Sequence, residues 1–370
     1  KTVTISTGVT LGNNPVDYFF PVPAGTYAFT VKIVDKAGHY MEKATSSAKT
    51  LEAGQISAFP AIEFVPTGTQ IDAEIHNAEE LIAFANEFNA EKWPTGAFAK
   101  VVKDIVFDEE SSAAFSDTGG IGNVLGDNNT NYFNGEFDGG SHTISGLKTN
   151  APLFRYTGGG ALIHDIKMDD TCTLTTENED AGPFWGLIAG RNKGTIKNCT
   201  VEGGIVIKKI NATSSQYYGG VTGRNYGGNI EDCSYSGTIS IPVEGTAAVG
   251  YMLRIGGISG TSEMDNNTTP SIKNCHFSGS IAADDGSEFG GLTLYNEKTQ
   301  YINAGGIVGY VTGGSVTSCE TEEGSSILLK GVFSTRVGGI AAYSTDGIIK
   351  DCVNKASLSF TSSGARAETT

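Results

Sequence analysis

Within residues 219–241 the chain reads Gly219-Gly220-Val221-Thr222-Gly223, then Ile230-Glu231-Asp232-Cys233, then Gly237-Thr238-Ile239-Ser240-Ile241. These pieces recur. The glycine core returns as Gly256-Gly257-Ile258-Ser259-Gly260, Gly305-Gly306-Ile307-Val308-Gly309 and Gly338-Gly339-Ile340-Ala341-Ala342, with Trp185-Gly186-Leu187-Ile188-Ala189-Gly190 as a degenerate copy. The cysteine piece returns as Ile196-Lys197-Asn198-Cys199, Ile272-Lys273-Asn274-Cys275, Val316-Thr317-Ser318-Cys319 and Ile349-Lys350-Asp351-Cys352. A third strand, such as Ala356-Ser357-Leu358-Ser359-Phe360, closes the unit. Strands this short, cut by glycine turns, cannot bury an apolar face singly. Stacked as rungs of a solenoid they can, with insertions leaving as loops. The spacing predicts an all-β chain built mainly as a right-handed parallel β-helix of about seven or eight rungs.

Upstream of the repeats, Val101-Val102-Lys103-Asp104-Ile105-Val106-Phe107 opens the series of short strands, and no second strong helix is expected after it. One helix precedes it, over about residues 77–90. Asn77 and Glu80 have capping-box spacing, and Ala78, Leu81, Ile82, Ala85 and Phe88 fall on one side. Glu79, Asn86 and Glu87 face away, and Trp93-Pro94-Thr95-Gly96 ends the helix, which is placed to cap the solenoid. Pro66-Thr67-Gly68-Thr69 reads as a linker, giving domains at 1–66 and 67–370. In the first, Tyr27, Phe29, Val31 and Ile33 alternate with Ala28, Thr30 and Lys32, the pattern of a half-buried antiparallel strand. Turns at Phe20-Pro21-Val22-Pro23-Ala24-Gly25 and Asp35-Lys36-Ala37-Gly38 complete a small antiparallel β-sandwich-like region, short of a full sandwich.

Composition sets bounds on partners. Fifty glycines without a Gly-X-Y period exclude collagen, and 39% hydrophobic residues suffice for a core. Lys plus Arg number 25 against 41 Asp plus Glu, and the resulting charge of −16 repels phosphate backbones, so no nucleic-acid partner is expected. No apolar run approaches the roughly 18 residues of a membrane span. Lys1-Thr2-Val3-Thr4-Ile5 lacks the apolar core of a signal peptide, which points to a processed or excerpted chain.

Five of the six cysteines hold one repeat position and should form an inward column, with Ile166 in that place one rung earlier and Cys172 outside the pattern. Stacked strands lie about 4.8 Å apart, yet parallel Cβ vectors disfavour the disulfide dihedral, so free packing thiols are expected. A linear ladder brings only two sulfurs near any point, against the four of a zinc site. The histidines, His39, His76, His142, His164 and His276, form no His-Glu-x-x-His, and there is no Gly-x-Ser-x-Gly elbow, phosphate loop or calcium repeat. Asp169-Asp170, Asp284-Asp285 and Glu320/Glu322/Glu323 are the acidic groups available to a glycan-cleaving enzyme, but no Lys or Arg is tied to them by the repeat. They read as solvated loop charge. No catalytic residue, metal or cofactor is expected.

One column has binding chemistry. Arg191, Arg224, Thr261, Tyr310 and Tyr343 follow the glycine strand of successive repeats and should align as a stripe. Arg191 and Arg224 offer forks for carboxylates, and Tyr310 and Tyr343 offer faces for sugar rings. The plainer alternative makes them turn residues beside a hydrogen-bonded ladder of Asn192 and Asn225. The insertions Ser262 to Thr269 and Asp284 to Gln300 are further recognition candidates.

The Gly-Gly-aliphatic-x-Gly and Ile-x-Asn-Cys units resemble the GLUG motif, and Phe133-Asn134-Gly135-Glu136-Phe137-Asp138-Gly139-Gly140-Ser141-His142-Thr143-Ile144-Ser145-Gly146-Leu147 resembles the coil that precedes such repeats. This likeness covers about residues 71 to 360. Tyr18-Phe19-Phe20-Pro21-Val22-Pro23-Ala24-Gly25-Thr26-Tyr27 and Leu51-Glu52-Ala53-Gly54-Gln55 resemble fimbrillin-like surface proteins of gut-type Gram-negative bacteria. Together the resemblances imply an exported protein, secreted or lipid-anchored at the outer membrane. They imply a non-catalytic adhesin for a host or dietary glycan or a surface protein. A polysaccharide lyase or glycoside hydrolase, and a passive spacer, are the alternatives.

Overall fold

The computed structural model describes residues 24–34, 39–44, 48–53, 68–69 and, from 71 on, all but 123, 126–128, 177–182, 209, 213–214, 242–243, 248–251, 267, 284–290, 295–300, 331–333, 362–365 and 370. The chain forms two units, 1–70 and 71–370.

In the first unit Thr30–Val34 pairs antiparallel with His39–Ala44, and Gly25–Tyr27 with Lys49–Leu51. The expected alternation holds from Tyr27 to Val31, although the strand is broken at Ala28 and Phe29. The two turns placed at 20–25 and 35–38 fall largely outside the described residues. Gly68 and Thr69 are not a linker: they pair antiparallel with Tyr40 and His39 and extend the sheet of the first unit.

The second unit is a parallel β-helix, with strands stacked in parallel register from coil to coil. Face 1 stacks nine strands, from Ala73–Ile75 to Ile348–Lys350; face 2 stacks eight, from Ile105–Val106 to Val353–Asn354. Face 3 stacks seven, from Lys148–Thr149 to Ser357–Thr361. Face 4, from Phe184–Gly186 to Arg366–Thr369, and face 5, from Phe154–Tyr156 to Ala341–Thr345, have six each. The coil thus has more corners than a three-strand unit predicts, because the glycine pair sits at a corner between strands.

That corner explains the glycines. Gln216–Gly219 ends where Thr222–Tyr226 is about to begin. A Cβ on Gly220 would lie 2.2 Å from the Tyr235 ring and 2.4 Å from the Gly257 carbonyl. The next coils repeat the conflict, with Gly257 against Phe277 at 2.3 Å and Gly306 against Thr321 at 2.4 Å. Where the pair degenerates to Gly186-Leu187, the face 2 position in register with Tyr235 is the smaller Val201. Side-chain volume lost at one position is regained at the other.

The corner between faces 1 and 2 uses a left-handed residue just before each cysteine: φ is 52° at Asn198, 53° at Asp232, 51° at Asn274, 53° at Ser318 and 55° at Asp351. Asn and Asp tolerate this region better than other non-glycine residues. Their N–H groups donate to the next coil, as Asn198 does to Glu231 O at 3.0 Å and Asp232 to Lys273 O at 3.1 Å. The cysteines that follow point inward and are free, with Cys199, Cys233, Cys275 and Cys319 buried. Each thiol donates to a carbonyl two residues back, for example Cys233 to Glu231 O at 3.1 Å and Cys275 to Lys273 O at 3.3 Å. Ile166 is buried in the same column, and Cys172, outside it, is buried with its thiol on Ile144 O at 3.3 Å.

Helix α1, Ala78–Asn89, has Asn77 as its N-cap, which accepts from Glu80 N at 2.9 Å. Glu80 does not return the bond to Asn77; it accepts from the His76 N–H at 2.8 Å. Phe84 joins Leu81, Ala85 and Phe88 in the buried face, whereas Ile82 is only partly buried. The helix meets the first coils through aromatic rings, Phe88 against Phe133 at 5.4 Å and Phe84 against Phe137 at 6.5 Å. Contrary to expectation there is a second helix, α2, Glu109–Thr118, with a capping box from Asp108 and Ser111 and a left-handed C-cap at Gly119. It buries Phe115 edge-on against Phe107 at 6.0 Å. Its low apolar content hid it from periodicity, but Asp108-Glu109-Glu110-Ser111 and Gly119 are start and stop signals.

Candidate functional site

Parallel register converts a repeat position into a column, and the stripe forms as its spacing requires. Tyr156, Arg191, Arg224, Thr261, Tyr310 and Tyr343 are successive partners along face 5. A second column, not foreseen, runs along face 4: Phe184, Tyr217, Arg254, Asn303 and Arg336. Its signal was in the sequence, since each lies two residues before the first glycine of its corner. All six arginines of the chain, Arg155, Arg191, Arg224, Arg254, Arg336 and Arg366, lie in strands of these two faces. An acidic protein has placed its guanidinium groups in one place.

These arginines are interleaved with rings. Arg224 stands 4.1 Å over Tyr226 and 5.2 Å over Phe184, Arg254 stands 4.2 Å over Tyr310, and Arg336 stands 4.2 Å over Tyr343. Tyr310 and Tyr343 stack at 5.4 Å with planes 9° apart. Such contacts contribute about 0.5–2 kcal/mol each. They also cover ring faces that a sugar would otherwise use. The Arg224 fork is occupied from within the chain: its Nε and Nη2 donate to Glu263 Oε2 at 2.9 and 2.6 Å, and Arg254 Nη1 donates to Glu263 Oε1 at 2.5 Å. Glu263 and Ser262 thus belong to a face 5 strand, not to a loop, while the insertion 284–300 lies mostly outside the described residues.

The N-terminal end differs. Arg191 donates to the Tyr132 hydroxyl and lies 5.1 Å from both the Tyr132 and Tyr156 rings. Arg155, 6% exposed, lies 5.1 Å over Trp185 and 6.0 Å from the Tyr156 ring. Burial lowers the affinity of its guanidinium for the proton, and only Tyr156 opposes the shift. Arg155 Nη1 and Arg191 Nε are buried without a hydrogen-bond partner. Among the described residues neither arginine has a carboxylate at ion-pair distance.

Beneath the stripe the asparagine ladder is present. Thr157 Oγ1 donates to Asn192 Oδ1 at 2.8 Å and Asn192 Nδ2 to Asn225 Oδ1 at 3.0 Å, with both asparagines fully buried. The amides also bond the carbonyls of Gly194 and Gly228, at 3.0 and 2.9 Å, and so fix the corner after face 5.

A second cluster, on the outside of face 1, was missed. Register sets Lys100, Asp138 and His164 side by side. His164 Nδ1 lies 2.5 Å from Asp165 Oδ2 and its Nε2 3.1 Å from Glu136 Oε1, while Lys100 Nζ lies 2.7 Å from Asp138 Oδ2. Burial pushes the Asp138 carboxyl up, but Lys100, the Gly140 N–H and His164 outweigh it and hold it below the usual carboxylate range. Asp138, His164 and Asp165 have the donor set of a cation site. Each is already engaged by a neighbour, which makes the cluster a self-neutralised ion-pair knot. Of the acids singled out earlier, Asp169 accepts from the Thr171 N–H at 3.1 Å, Glu320 pairs with Lys355, and Glu322 lies 3.6 Å from His276. Asp284 and Asp285 lie outside the described residues.

No helix among the described residues is long and apolar enough to cross a membrane. Comparison with curated proteins returned no match. The family model described as "The GLUG motif" matches residues 214–240, which contain the Gly219-Gly220 corner, the Arg224 position, the Asp232 turn and Cys233. The chain therefore carries the GLUG motif, set in the coil from which its repeats were first read.

Proposed function

We propose that this chain is a non-catalytic, exported surface protein of adhesin type that binds glycan through faces 4 and 5 of its β-helix. The observation that carries this reading is the segregation of arginine and aromatic rings on that surface, in a chain of net charge −16. Guanidinium groups held flat by rings are preorganised donors for hydroxyls and carboxylates, and long rigid stacks of this kind present extended surfaces. Secretion or outer-membrane anchoring is part of this reading, supported by the GLUG motif at 214–240 and by the fimbrillin resemblance of the N-terminal segments. A protein ligand would use the same surface, since tyrosine and arginine dominate protein contacts as well.

The test is an array of host and dietary glycans, with mass analysis of the bound material. Saturable binding of intact glycan, weakened in Arg224→Ala and Tyr310→Ala, supports the reading. Cleaved glycan would overturn the non-catalytic assignment and favour a lyase or hydrolase, with the Lys100, Asp138 and His164 cluster the first place to mutate. Silence on both counts would leave protein binding or a spacer role.

A further inference from the structure

We propose that the N-terminal end of the arginine and tyrosine face is an anion subsite, in which Arg155 and Arg191 hold a carboxylate of an acidic sugar. The proposal rests on the reading of that face as a glycan-binding surface and specifies its ligand class. Its basis is a contrast within the stripe. Arg224 and Arg254 share Glu263, and nearby Lys193 has Asp265 at 2.5 Å. Arg191 and Arg155, one and two coils before Arg224, have rings and a hydroxyl but no acid at ion-pair distance among the described residues, Asp265 reaching Arg191 only through its longer-range field.

A guanidinium removed from water without a counter-charge is strongly unfavourable, and a buried N–H without an acceptor adds to this. Arg155 combines both, being 6% exposed with Nη1 unpartnered. Arg191 Nε is likewise a buried donor without an acceptor, as is Arg254 Nε, so the contrast lies in the acid that Arg254 has; the guanidinium carbons of Arg155 and Arg191 both lie near the one Tyr156 ring, at 6.0 and 5.1 Å. An oxyanion supplies what the two lack, accepting from both while neutralising the charge. Arg191 is half-buried and Arg155 buried, so the anion enters past Arg191. Tyr132, Tyr156 and Trp185 give the subsite apolar walls suited to the CH faces of a pyranose. A planar carboxylate matches the fork of a guanidinium.

The test is calorimetric titration of the full chain with an oligogalacturonate, with the same oligosaccharide after reduction of its carboxyls, and with dextran sulfate. Variants are Arg191→Gln and Arg155→Lys, the second keeping charge while losing the fork. Circular dichroism checks their fold. The oligogalacturonate should bind at least tenfold tighter than its neutral counterpart, and each variant should erase that margin. If Arg155→Lys fails to fold, Arg191→Gln carries the test alone. Equal binding of acidic and neutral probes, or an unchanged margin in Arg191→Gln, would overturn the subsite while glycan binding by the face stands. Preference for dextran sulfate would overturn the carboxylate assignment. Failure of every glycan on the array to bind would remove the reading of the face, and the subsite with it.

Discussion

Alkali should loosen this β-helix through its cysteines. Burial raises the Cys172 thiol to about 12 and pushes Cys233 and Cys275 well up, while the sulfur of Cys275, then burial, does the same to Cys319. In the unfolded chain these thiols ionise near about 8.5. Above that pH the unfolded state releases protons that the folded state retains. The stability held below pH 8.5 is therefore lost as pH rises, until the folded thiols themselves ionise. One pH unit above the unfolded value the loss is about 1.4 kcal/mol per thiol, or about 6 kcal/mol for four. That rivals the whole net stability of an ordinary domain, roughly 5–15 kcal/mol. Urea unfolding followed by circular dichroism, from pH 7 to 9.5 without oxygen, measures the loss in the wild type and in a Cys233→Ala, Cys275→Ala double variant. The variant starts weaker because of its two cavities, but its loss over this range should be smaller by about 3 kcal/mol. Parallel losses in the two proteins would refute the reasoning, since the ladder thiols would then ionise as freely folded as unfolded.

The three atoms nearest a Cβ on Gly339 all belong to the Asn354 side chain, from 2.1 Å, whereas a Cβ on Gly306 also meets the Gly339 carbonyl at 2.2 Å. Gly339→Ala should thus be rescued by Asn354→Ala, while Gly306→Ala, costing about 1–3 kcal/mol or more, should resist Thr321→Ala, as melting temperatures will report. Asn192→Ala strands Thr157 and Asn225 in the core and should cost about 2–3 kcal/mol in the same assay, with Asn192→Asp no better because a buried charge replaces the amide. Acid should also destabilise: Asp138 has a lowered folded pKa, as does Asp265, held down by its bond from Lys193. Stability present above about pH 4 is then lost as pH falls through the folded values, and Asp138→Asn should flatten the fall in melting temperature between pH 5 and 3.

The coil was legible because register is strict: a position read as Ile-x-Asn-Cys in one repeat became a physical column, so the thiol ladder, the arginine and tyrosine stripe and the asparagine ladder followed from spacing alone. The corner count did not follow, because a glycine pair looks the same inside a strand as between two strands. Only the clash of Gly220 with Tyr235 and with the Gly257 carbonyl distinguishes them. Helix α2 lacks an apolar stripe and depends on its caps and on Phe115. The face 4 column was legible as one repeat position, two residues before each corner glycine, but its mixed residue types hid it. The His164 cluster was not legible. It needs the offset between two strands to be fixed before its residues become neighbours, as Asp138 and His164 do across face 1.

Arginine and tyrosine on faces 4 and 5 serve packing as well as recognition. Successive coils lie about 4.8 Å apart, a spacing at which flat groups stack and a tetrahedral ammonium does not. The outer positions of face 1 accordingly hold Lys197, Glu231 and Lys273 in sequence, whereas faces 4 and 5 hold Arg254 over Tyr310 and Tyr310 on Tyr343. Planarity alone would therefore account for the choice of residue type along most of the stripe. It does not account for charge. A stack that served packing only would give every buried guanidinium an acid, as Glu263 does for Arg224 and Arg254. Among the described residues Arg155 and Arg191 have no acid at ion-pair distance, and this separates a surface that merely holds itself together from one with a place left for a ligand.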